Sequence, residues 1–447
     1  MIFTDFLLRR FAGQADDEAI VWQDRSFSYR FLLEQIDRWR SELGADIRNR
    51  VVVLEADFSP AAVAILFALI ELQCVIVPIA SSTAIQQRQE FLRVSEASYV
   101  IELLDERIEL TATDQQPQHL LLQQQIERNR PGLILFSSGS TGESKATLHD
   151  FVPLLNKYER QRQPWRTLNF LLFDHIGGLN TLLHTLSNLG CVITVSDRSA
   201  DTVCRAIEKH QVQILPTSPT FMNLLLLSES HTRHDLSSLR LVTYGTEPMP
   251  QSTLERFHQL MPDVRLQQTY GLSEVGILRS KSKSSDSLWM RIGGEGFETR
   301  IVDGMLEIRA ESAMVGYLNA ASPFTDDGWM RTGDAVEVDG EYLRVLGRKS
   351  ELINVGGEKV YPAEVENILL QMEGVEDVTV QGQANPITGN IVRAAVRLST
   401  SESSSDYVKR MRAFCRERLA RFKVPQRVEL VTDDLHSERF KKNRAGL

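Results

Sequence analysis

The sequence predicts an α/β protein with a large N-terminal domain of parallel sheets covered by helices and a small C-terminal α+β domain. Two observations support this. Over the first 340 residues, short apolar runs alternate with helical patterns, and after Gly347 the pattern changes to a compact unit. We place the boundary in "LGRKSEL", residues 346–352.

The elements of the first domain are recognised by their apolar runs. Six of these predict core strands: "VVVLEAD", "CVIVPI", "GLILF", "CVITV", "VQILPT" and "LRLVTYG". "AAVAILFALIELQCVIVPIA" is the one stretch apolar enough to suggest a membrane span, but Glu71, Gln73 and Pro78 interrupt it, so a buried helix followed by a core strand is favoured. Two polar segments, residues 113–132 and 280–287, are predicted to be surface linkers.

The small domain follows a different order. "PAEVENILLQM" and "YVKRMRAFCRERLARF" predict helices, and "VEDVTVQG", "IVRAAVRLS" and "RVELV" predict strands. No repeat of 20 to 50 residues is visible.

Composition limits the partners. The chain has 447 residues, a net charge of -9 and a pI near 5.6, which argues against nucleic acid or an anionic membrane as the main partner. The four cysteines are far apart, which predicts reduced thiols and neither a disulfide nor a zinc site. The N-terminus lacks the pattern of a signal peptide, so we expect a cytoplasmic protein.

One loop indicates an anion site. In "LILFSSGSTGESKATLHD", residues 133–150, an apolar strand leads into consecutive small residues whose backbone N–H groups can converge on a phosphate, with Lys145 adding a point charge. It is not the Walker pattern, because Ala146 follows the lysine. Taken alone, a surface turn without a ligand would give the same composition.

Two further stretches follow in order, "TYGLSEVG" (residues 269–276) and "WMRTGDAVEVDGEYLRVLGRKSELINVGGEKVYPAEVE" (residues 329–366). Together with the loop they resemble the adenylate-forming superfamily of acyl- and aryl-CoA ligases, adenylation domains and luciferases, and most closely the CoA ligases. The resemblance covers nearly the whole chain. It implies that a carboxylate joins the α-phosphate of ATP, pyrophosphate leaves, and the small domain, being mobile, then rotates so that the acyl group can pass to a thiol. Because two anions must meet, positioned positive charge should dominate catalysis.

The resemblance implies a nucleotide site. Asp334 would accept both ribose hydroxyls, and Arg348 would also reach the ribose. Tyr270 would flank the adenine, and Glu274 would be the magnesium-associated carboxylate. Ser144 replaces the usual proline of the loop. The structural alternatives are a turn residue for Asp334 and a buried tyrosine with a surface glutamate for the other two. The full ATP- and AMP-binding set is Ser137, Ser138, Gly139, Ser140, Thr141, Gly142, Lys145, Gly245, Thr246, Glu247, Tyr270, Gly271, Ser273, Asp334 and Arg348.

The acid pocket is expected around "LLFDHIGGLNTLL", which resembles the family segment that carries a pocket histidine. We assign His175 to that role, with Gly177 and Gly178 making room and Tyr244 as a further pocket residue. The alternative for His175 is a histidine satisfied within a tight turn. Asp174 adds a second alternative, because amino-acid-activating domains bind the substrate ammonium with an aspartate nearby, although here it is one residue out of place.

The tail "LHSERFKKNRAGL" resembles the family segment Thr-x-x-Gly-Lys-x-x-Arg. Placing Ser437 at the threonine and Arg444 at the arginine puts Lys441 on the catalytic lysine. Lys442 is a competitor, and Phe440 stands where glycine is usual. The predicted catalytic residues are therefore Lys441, Glu274 and His175. The alternative is a solvated basic tail without a catalytic role.

The segment after the domain boundary indicates which thiol accepts the acyl group. The hinge falls at residues 347–350, with Ser350 at the hinge position, and "GGEKVYPAEVE" resembles the CoA-ligase form of the following loop, so Gly356, Gly357 and Lys359 are assigned to CoA binding. We expect ATP, Mg²⁺ and CoA, and a compact, aryl or short acyl acid. The alternatives are an enzyme that loads the phosphopantetheine of a carrier protein and a non-catalytic homologue that binds adenylate or acid, which the departures at Phe440 and Ser144 would suit.

Overall fold

The computed structural model describes residues 3–104, 107–138, 144–437 and 439–442, with Ser138 described by its backbone alone. The α-helices are α1 Asp5–Gly13, α2 Tyr29–Leu43, α3 Pro60–Glu71, α4 Ile85–Ser95, α5 Leu120–Glu127, α6 Phe151–Asn156, α7 Ile176–Ser187, α8 Ala200–His210, α9 Pro219–Ser228, α10 Gln251–Leu260, α11 Pro362–Leu369 and α12 Ser404–Cys415.

The strands are β1 Glu18–Trp22, β2 Arg25–Ser28, β3 Val51–Glu55, β4 Val75–Ile79, β5 Tyr99–Leu104, β6 Arg107–Ala112, β7 Gly132–Ser138, β8 Ser144–Asp150, β9 Arg166–Leu168, β10 Cys191–Ile193, β11 Ile214–Thr217, β12 Leu241–Tyr244, β13 Arg265–Gln268, β14 Gly271–Leu272, β15 Gly276–Ile277, β16 Ser280–Ser282, β17 Met290–Ile292, β18 Phe297–Val302, β19 Met305–Ala310, β20 Gly316–Tyr317, β21 Met330–Asp339, β22 Tyr342–Arg348, β23 Ile353–Val355, β24 Glu358–Val360, β25 Val375–Asn385, β26 Gly389–Leu398 and β27 Arg427–Leu430.

Two seven-stranded sheets form the body of the large domain, with the orders β20-β8-β7-β4-β3-β5-β6 and β13-β12-β11-β9-β10-β1-β2. Their central strands are parallel, as βαβ connections require, and antiparallel strands occur towards the edges. All six predicted core strands are present, so the α/β prediction is confirmed.

The most apolar stretch illustrates how the core forms. Ser59 caps α3 by accepting from the backbone N–H of Ala62, Pro60 occupies the first turn, and every residue of the helix except Ala61 is buried. Strand β4 follows and is buried along its whole length. The stretch is therefore a core helix followed by a core strand, as predicted, and within the described ranges no helix combines the length and apolarity that a membrane crossing requires.

Four expectations need correction. The parallel pattern does not extend to residue 340, because β16 to β19, β21 and β22 form a six-stranded antiparallel sheet from strands too short or too polar to be recognised as apolar runs. Residues 113–132 are not a plain linker but contain α5, which buries Leu122. Residues 280–287 contain β16, and the predicted long helix of the small domain ends at Cys415.

The small domain has a five-stranded sheet in which β27 pairs with β26, packed against α11 and α12. The change from one sheet to the next occurs between β22 and β23, across a single 3-10 turn, Lys349–Glu351. At Gly347 φ is +149°, and a Cβ there would lie 3.1 Å from the ring of Tyr361. The domain limits and the hinge at residues 347–350 remain predictions, located in this segment.

Candidate active site

Asp334 and Arg348 face each other across β21 and β22. The Arg348 Nε donates to Asp334 Oδ1 over 3.2 Å, and the Tyr270 hydroxyl donates to Oδ2 over 2.5 Å. Burial raises the pKa of Asp334, although Arg348 and Tyr270 oppose that shift. Asp334 is thus a buried carboxylate whose orientation is fixed by Arg348 and by the hydroxyl of Tyr270.

Glu274 and Lys145 are linked by a residue that the sequence did not single out. The Tyr317 hydroxyl donates to Glu274 Oε1 over 2.5 Å, and the Lys145 Nζ lies 5.5 Å from the centroid of the same ring. Burial raises the pKa of Tyr317, and the Glu274 carboxylate adds to the shift, so the phenol stays protonated as a donor. Its only signal in the sequence is a Gly-Tyr pair between the two recognised motifs.

Two other residues missed by sequence reasoning hold the framework of the site. The His149 Nε2 donates over 2.6 Å to the carbonyl of Ser273, which fixes the turn that carries Glu274. Burial lowers the pKa of His149 to about 4, so the ring is neutral. The Asn319 side chain accepts from the N–H of Ala146 and donates to the carbonyl of Ser144, which anchors the start of β8.

The phosphate loop itself is only partly described. Ser137 pairs with Lys145 across β7 and β8. The predicted phosphate ligands Gly139, Ser140, Thr141 and Gly142 and the side chain of Ser138 lie outside the described residues, as does Arg444 of the tail.

His175 caps helix α7. Its Nδ1 accepts from the backbone N–H of Gly177 over 3.0 Å, so the proton of the neutral ring is on Nε2. Burial, with Lys441 and Arg439 nearby, lowers the pKa of His175 to about 3. A Cβ at Gly178 would lie 2.0 Å from the Leu172 carbonyl, so only glycine permits this tight first turn.

Asp174 does not face an open pocket. It is 6% exposed, and its Oδ2 accepts from the Arg439 guanidinium over 2.6 Å. The aspartate that the sequence offered as an ammonium ligand thus forms an ion pair with the tail.

The end of β12 and the segment after it differ from the expectation at Tyr244. Tyr244 lies in the apolar core of the second sheet at 1% exposure, a position typical of a packing residue. Gly245 does mark a close backbone approach, because a Cβ there would lie 2.8 Å from the carbonyl of Thr269. Thr246 has φ of +75°. Glu247 accepts from the N–H of Thr220 over 2.8 Å and from the N–H of Lys442 over 3.1 Å.

The tail turn, residues 436–442 without Glu438, returns to the site from the small domain. It is closed by a hydrogen bond from the Ser437 N–H to the Lys441 carbonyl and by a bridge between His436 and Lys442. Burial lowers the pKa of Lys441, Glu247 opposes this, and Arg348 and Arg439 add to it. Lys441 is therefore in electrostatic reach of both the ribose pair and His175.

The remaining predicted residues lie on the surface near the two turns after β22. Ser350, Gly356, Gly357 and Lys359 are all exposed, the two glycines forming the turn between β23 and β24. Gly271 opens the β14–β15 hairpin that leads to Ser273 and Glu274.

The donor set suits a polyphosphate with a hard cation. Lys145 and Arg348 supply positive charge around Glu274, and the described ranges contain no group of three or more His, Cys, Asp or Glu side chains that could form a metal cage. Mg²⁺ is commonly held by one or two carboxylates together with substrate phosphates, so Glu274 fits as its protein ligand.

Fold and site together describe a large and a small domain, with the buried Asp334 carboxylate held by Arg348 and Tyr270 and the tail turn in contact with the large domain. Two family models match the chain, "AMP-binding enzyme" over residues 7–305 and "AMP-binding enzyme C-terminal domain" over residues 364–442. The protein belongs to the AMP-binding enzyme family.

Its relatives include an indoleacetate–CoA ligase of Aromatoleum aromaticum, 27% identical over 96% of this chain and 94% of the relative. A 2-succinylbenzoate–CoA ligase of Bacillus velezensis is 31% identical over 65% of this chain. The match spans 63% of that ligase and 61% of the 3-[(3aS,4S,7aS)-7a-methyl-1,5-dioxo-octahydro-1H-inden-4-yl]propanoyl:CoA ligase of Rhodococcus jostii, which is less than two thirds of either relative.

Solved structures share the fold. An anthranilate CoA ligase in complex with anthranoyl-AMP has a TM-score of 0.84 at 22% identity, over 99% of this chain and 95% of that one. An amide bond synthetase from Marinactinospora thermotolerans has a TM-score of 0.78 at 22% identity, over 96% and 95% of the two chains.

Proposed function

We propose that the protein activates a small carboxylic acid, aryl or short acyl, with ATP and Mg²⁺ to an acyl-adenylate and transfers the acyl group to CoA. The observation that supports this most is the convergence of Asp334 with Arg348, Glu274 with Tyr317 and Lys145, and Lys441 with His175. The kinship with CoA ligases for indoleacetate and 2-succinylbenzoate supports an aryl acid.

The ATP end of the reaction depends on preorganised charge. The Asp334 carboxylate, already oriented by Arg348 and Tyr270, would accept hydrogen bonds from the ribose hydroxyls. Lys145 and the backbone of the phosphate loop would hold the β- and γ-phosphates. Glu274 would hold Mg²⁺, which neutralises phosphate charge when bound.

The acid end needs the carboxylate to approach the α-phosphate despite their like charges. The Lys441 ammonium would stabilise the negative charge that develops between the two, in a site where burial strengthens electrostatic interactions. His175, with its proton on Nε2, offers a neutral donor that can orient the acid carboxylate without adding a competing anion.

Pyrophosphate release tests the proposal. ATP and Mg²⁺ are supplied with a panel of aryl, short-chain, long-chain and amino acids, with and without CoA. We expect release with aryl or short acids that rises when CoA is added. Release that CoA leaves unchanged but a phosphopantetheinyl carrier protein increases would favour the carrier-loading alternative, and ATP binding without release for any acid would favour the non-catalytic alternative.

A further inference from the structure

The tail turn is bound to both domains at once. Lys442 carries the connection to the small domain: its Nζ donates to Asp377 Oδ1 over 2.9 Å and to the carbonyl of Val378 over 2.5 Å. Its backbone N–H donates to Glu247 of the large domain. The side chains of Lys442 and Asp377 are 9% and 7% exposed, so the ion pair is screened little by water.

The charge of Lys442 is committed to this contact. Burial alone would lower its pKa, but Asp377, Glu366 and Glu247 outweigh that effect, and the pKa of Lys442 is raised. A permanently charged, buried ammonium held by a carboxylate and a carbonyl is suited to fixing the chain. The charge of Lys441, the preceding residue, instead interacts with Glu247, Arg348 and Arg439 and acts on His175.

Phe440 supplies a second point of attachment, to the large domain. Its ring lies 5.1 Å from Phe170 and 5.4 Å from Phe221, and the Arg198 guanidinium lies 5.3 Å from its centroid. The backbone of Phe440 has φ of +51°, the left-handed region that favours glycine. The side chain therefore compensates, by packing, for a conformation that a phenylalanine adopts at a cost.

Arg439 supplies the third point through its ion pair with Asp174. Asp174 immediately precedes His175, so this pair fixes the tail next to the proposed acid site. The three attachments are at residues 439, 440 and 442, so they flank Lys441 on both sides in the sequence.

We propose that Lys442 with Asp377, Phe440 with Phe170 and Phe221, and Arg439 with Asp174 are positioning residues that hold Lys441 in place for adenylation. The inference rests on the proposed function for its kinetic part, because Lys441 is the lysine of that reaction. Lys442 is thereby assigned a positioning role and not the role of catalytic lysine. The Lys442–Asp377 pair lies within the small domain, whereas the contacts of Phe440 and Arg439 reach the large domain, so these two serve the first half-reaction and must break for the second.

The kinetic test separates the half-reactions. Asp377→Asn, Asp174→Asn and Lys442→Met should each lower the kcat of pyrophosphate release about 10- to 100-fold, as expected for a displaced catalytic group, with little change in the KM for ATP. Thioester formation from a supplied acyl-adenylate should not become slower. Lys442→Arg, which keeps the charge, should retain more adenylation than Lys442→Met.

Phe440 offers an internal comparison. Phe440→Ala loses the ring but keeps the strained backbone, whereas Phe440→Gly loses the ring and relieves the strain. We expect slower adenylation in both, with the alanine variant slower than the glycine variant. Glu429→Gln is the matched control, because it removes the exposed pair with Arg393 in the same small domain and should leave both half-reactions unchanged.

Trypsin cleavage tests the attachment of the tail separately from the proposed enzymatic function, because it does not depend on activity. Trypsin cleavage after Lys441 and Lys442, followed by mass spectrometry, should be several-fold faster in Asp377→Asn than in the wild-type chain and unchanged in Glu429→Gln. Equal cleavage in all three, or an equal loss of both half-reactions in Asp377→Asn, would overturn the positioning role. A wild-type chain that releases no pyrophosphate with any acid contradicts the proposed function, and the cleavage comparison still decides the attachment.

Discussion

At the level of single residues, the site is held together by contacts that the motifs do not contain. The motifs offered Asp334, Glu274 and Lys145 as separate candidates. The structure links the first to Arg348 and Tyr270 and the other two through Tyr317. Tyr317 could not be singled out, since a tyrosine in a short strand carries no recognisable pattern until its hydroxyl is seen to reach Glu274.

Asp334 gives the sharpest residue-level prediction. Asp334→Asn should raise the KM for ATP about 10- to 100-fold, because a hydrogen bond to a charged group contributes roughly 1.5–3 kcal/mol. The KM for the acid should change much less. Asp339→Asn is the control, because Asp339 lies on the same strand as Asp334 and loses an exposed ion pair with Lys283. An equal rise in both KM values would argue against the ribose assignment.

At the level of elements, local apolar patterns were sufficient for the core strands and for α3, since most of their residues are buried. They were insufficient for β16 to β19, β21 and β22, because these short or half-exposed segments are stabilised by antiparallel pairing, including the non-sequential pairs β17–β22 and β19–β21. The tail contacts could not be predicted from local patterns either, because Asp174 and Arg439 are 265 positions apart in sequence.

A contact between two elements gives the next prediction: His149 joins β8 to the turn that carries Glu274. Its pKa is lowered by burial to about 4, so below about pH 6.5 the unfolded chain takes up a proton that the folded chain does not. The stability present above pH 6.5 is therefore lost as the pH falls towards 4. The pKa values of His175 and His184 are also lowered, so these residues change the stability with pH in the same direction. The effect of His149 is therefore measured as the difference between the wild-type chain and a His149 variant.

His149→Gln should flatten the dependence of the unfolding free energy on pH between 6.5 and 4.5, by up to about 1.4 kcal/mol per pH unit. Urea denaturation of both chains at a series of pH values measures this. Parallel curves for the two chains would mean that the histidine is protonated in the folded state.

At the level of the whole molecule, polar contacts join the two domains around the site. Besides the tail turn, Asn223 donates to the carbonyl of Glu376 over 3.0 Å, and the N–H of Gln251 donates to Asn367 over 2.9 Å. Interfaces of this polar kind permit relative motion of domains. The described arrangement brings Lys441 to the site and leaves Gly356, Gly357 and Lys359 exposed, as suits the first half-reaction.

The hinge prediction can be tested on this basis. Ser350 lies in the middle of the 3-10 turn Lys349–Glu351, where φ near −60° is usual and proline is compatible. Ser350→Pro should leave pyrophosphate release within about threefold of wild type, while thioester formation from a supplied acyl-adenylate falls at least about tenfold, because the fixed φ opposes rotation of the small domain. Ser350→Ala, which keeps backbone freedom, should leave both rates unchanged. If the proline variant forms thioester at the wild-type rate, the small domain turns about some other segment, and residues 347–350 lose their assignment as the hinge.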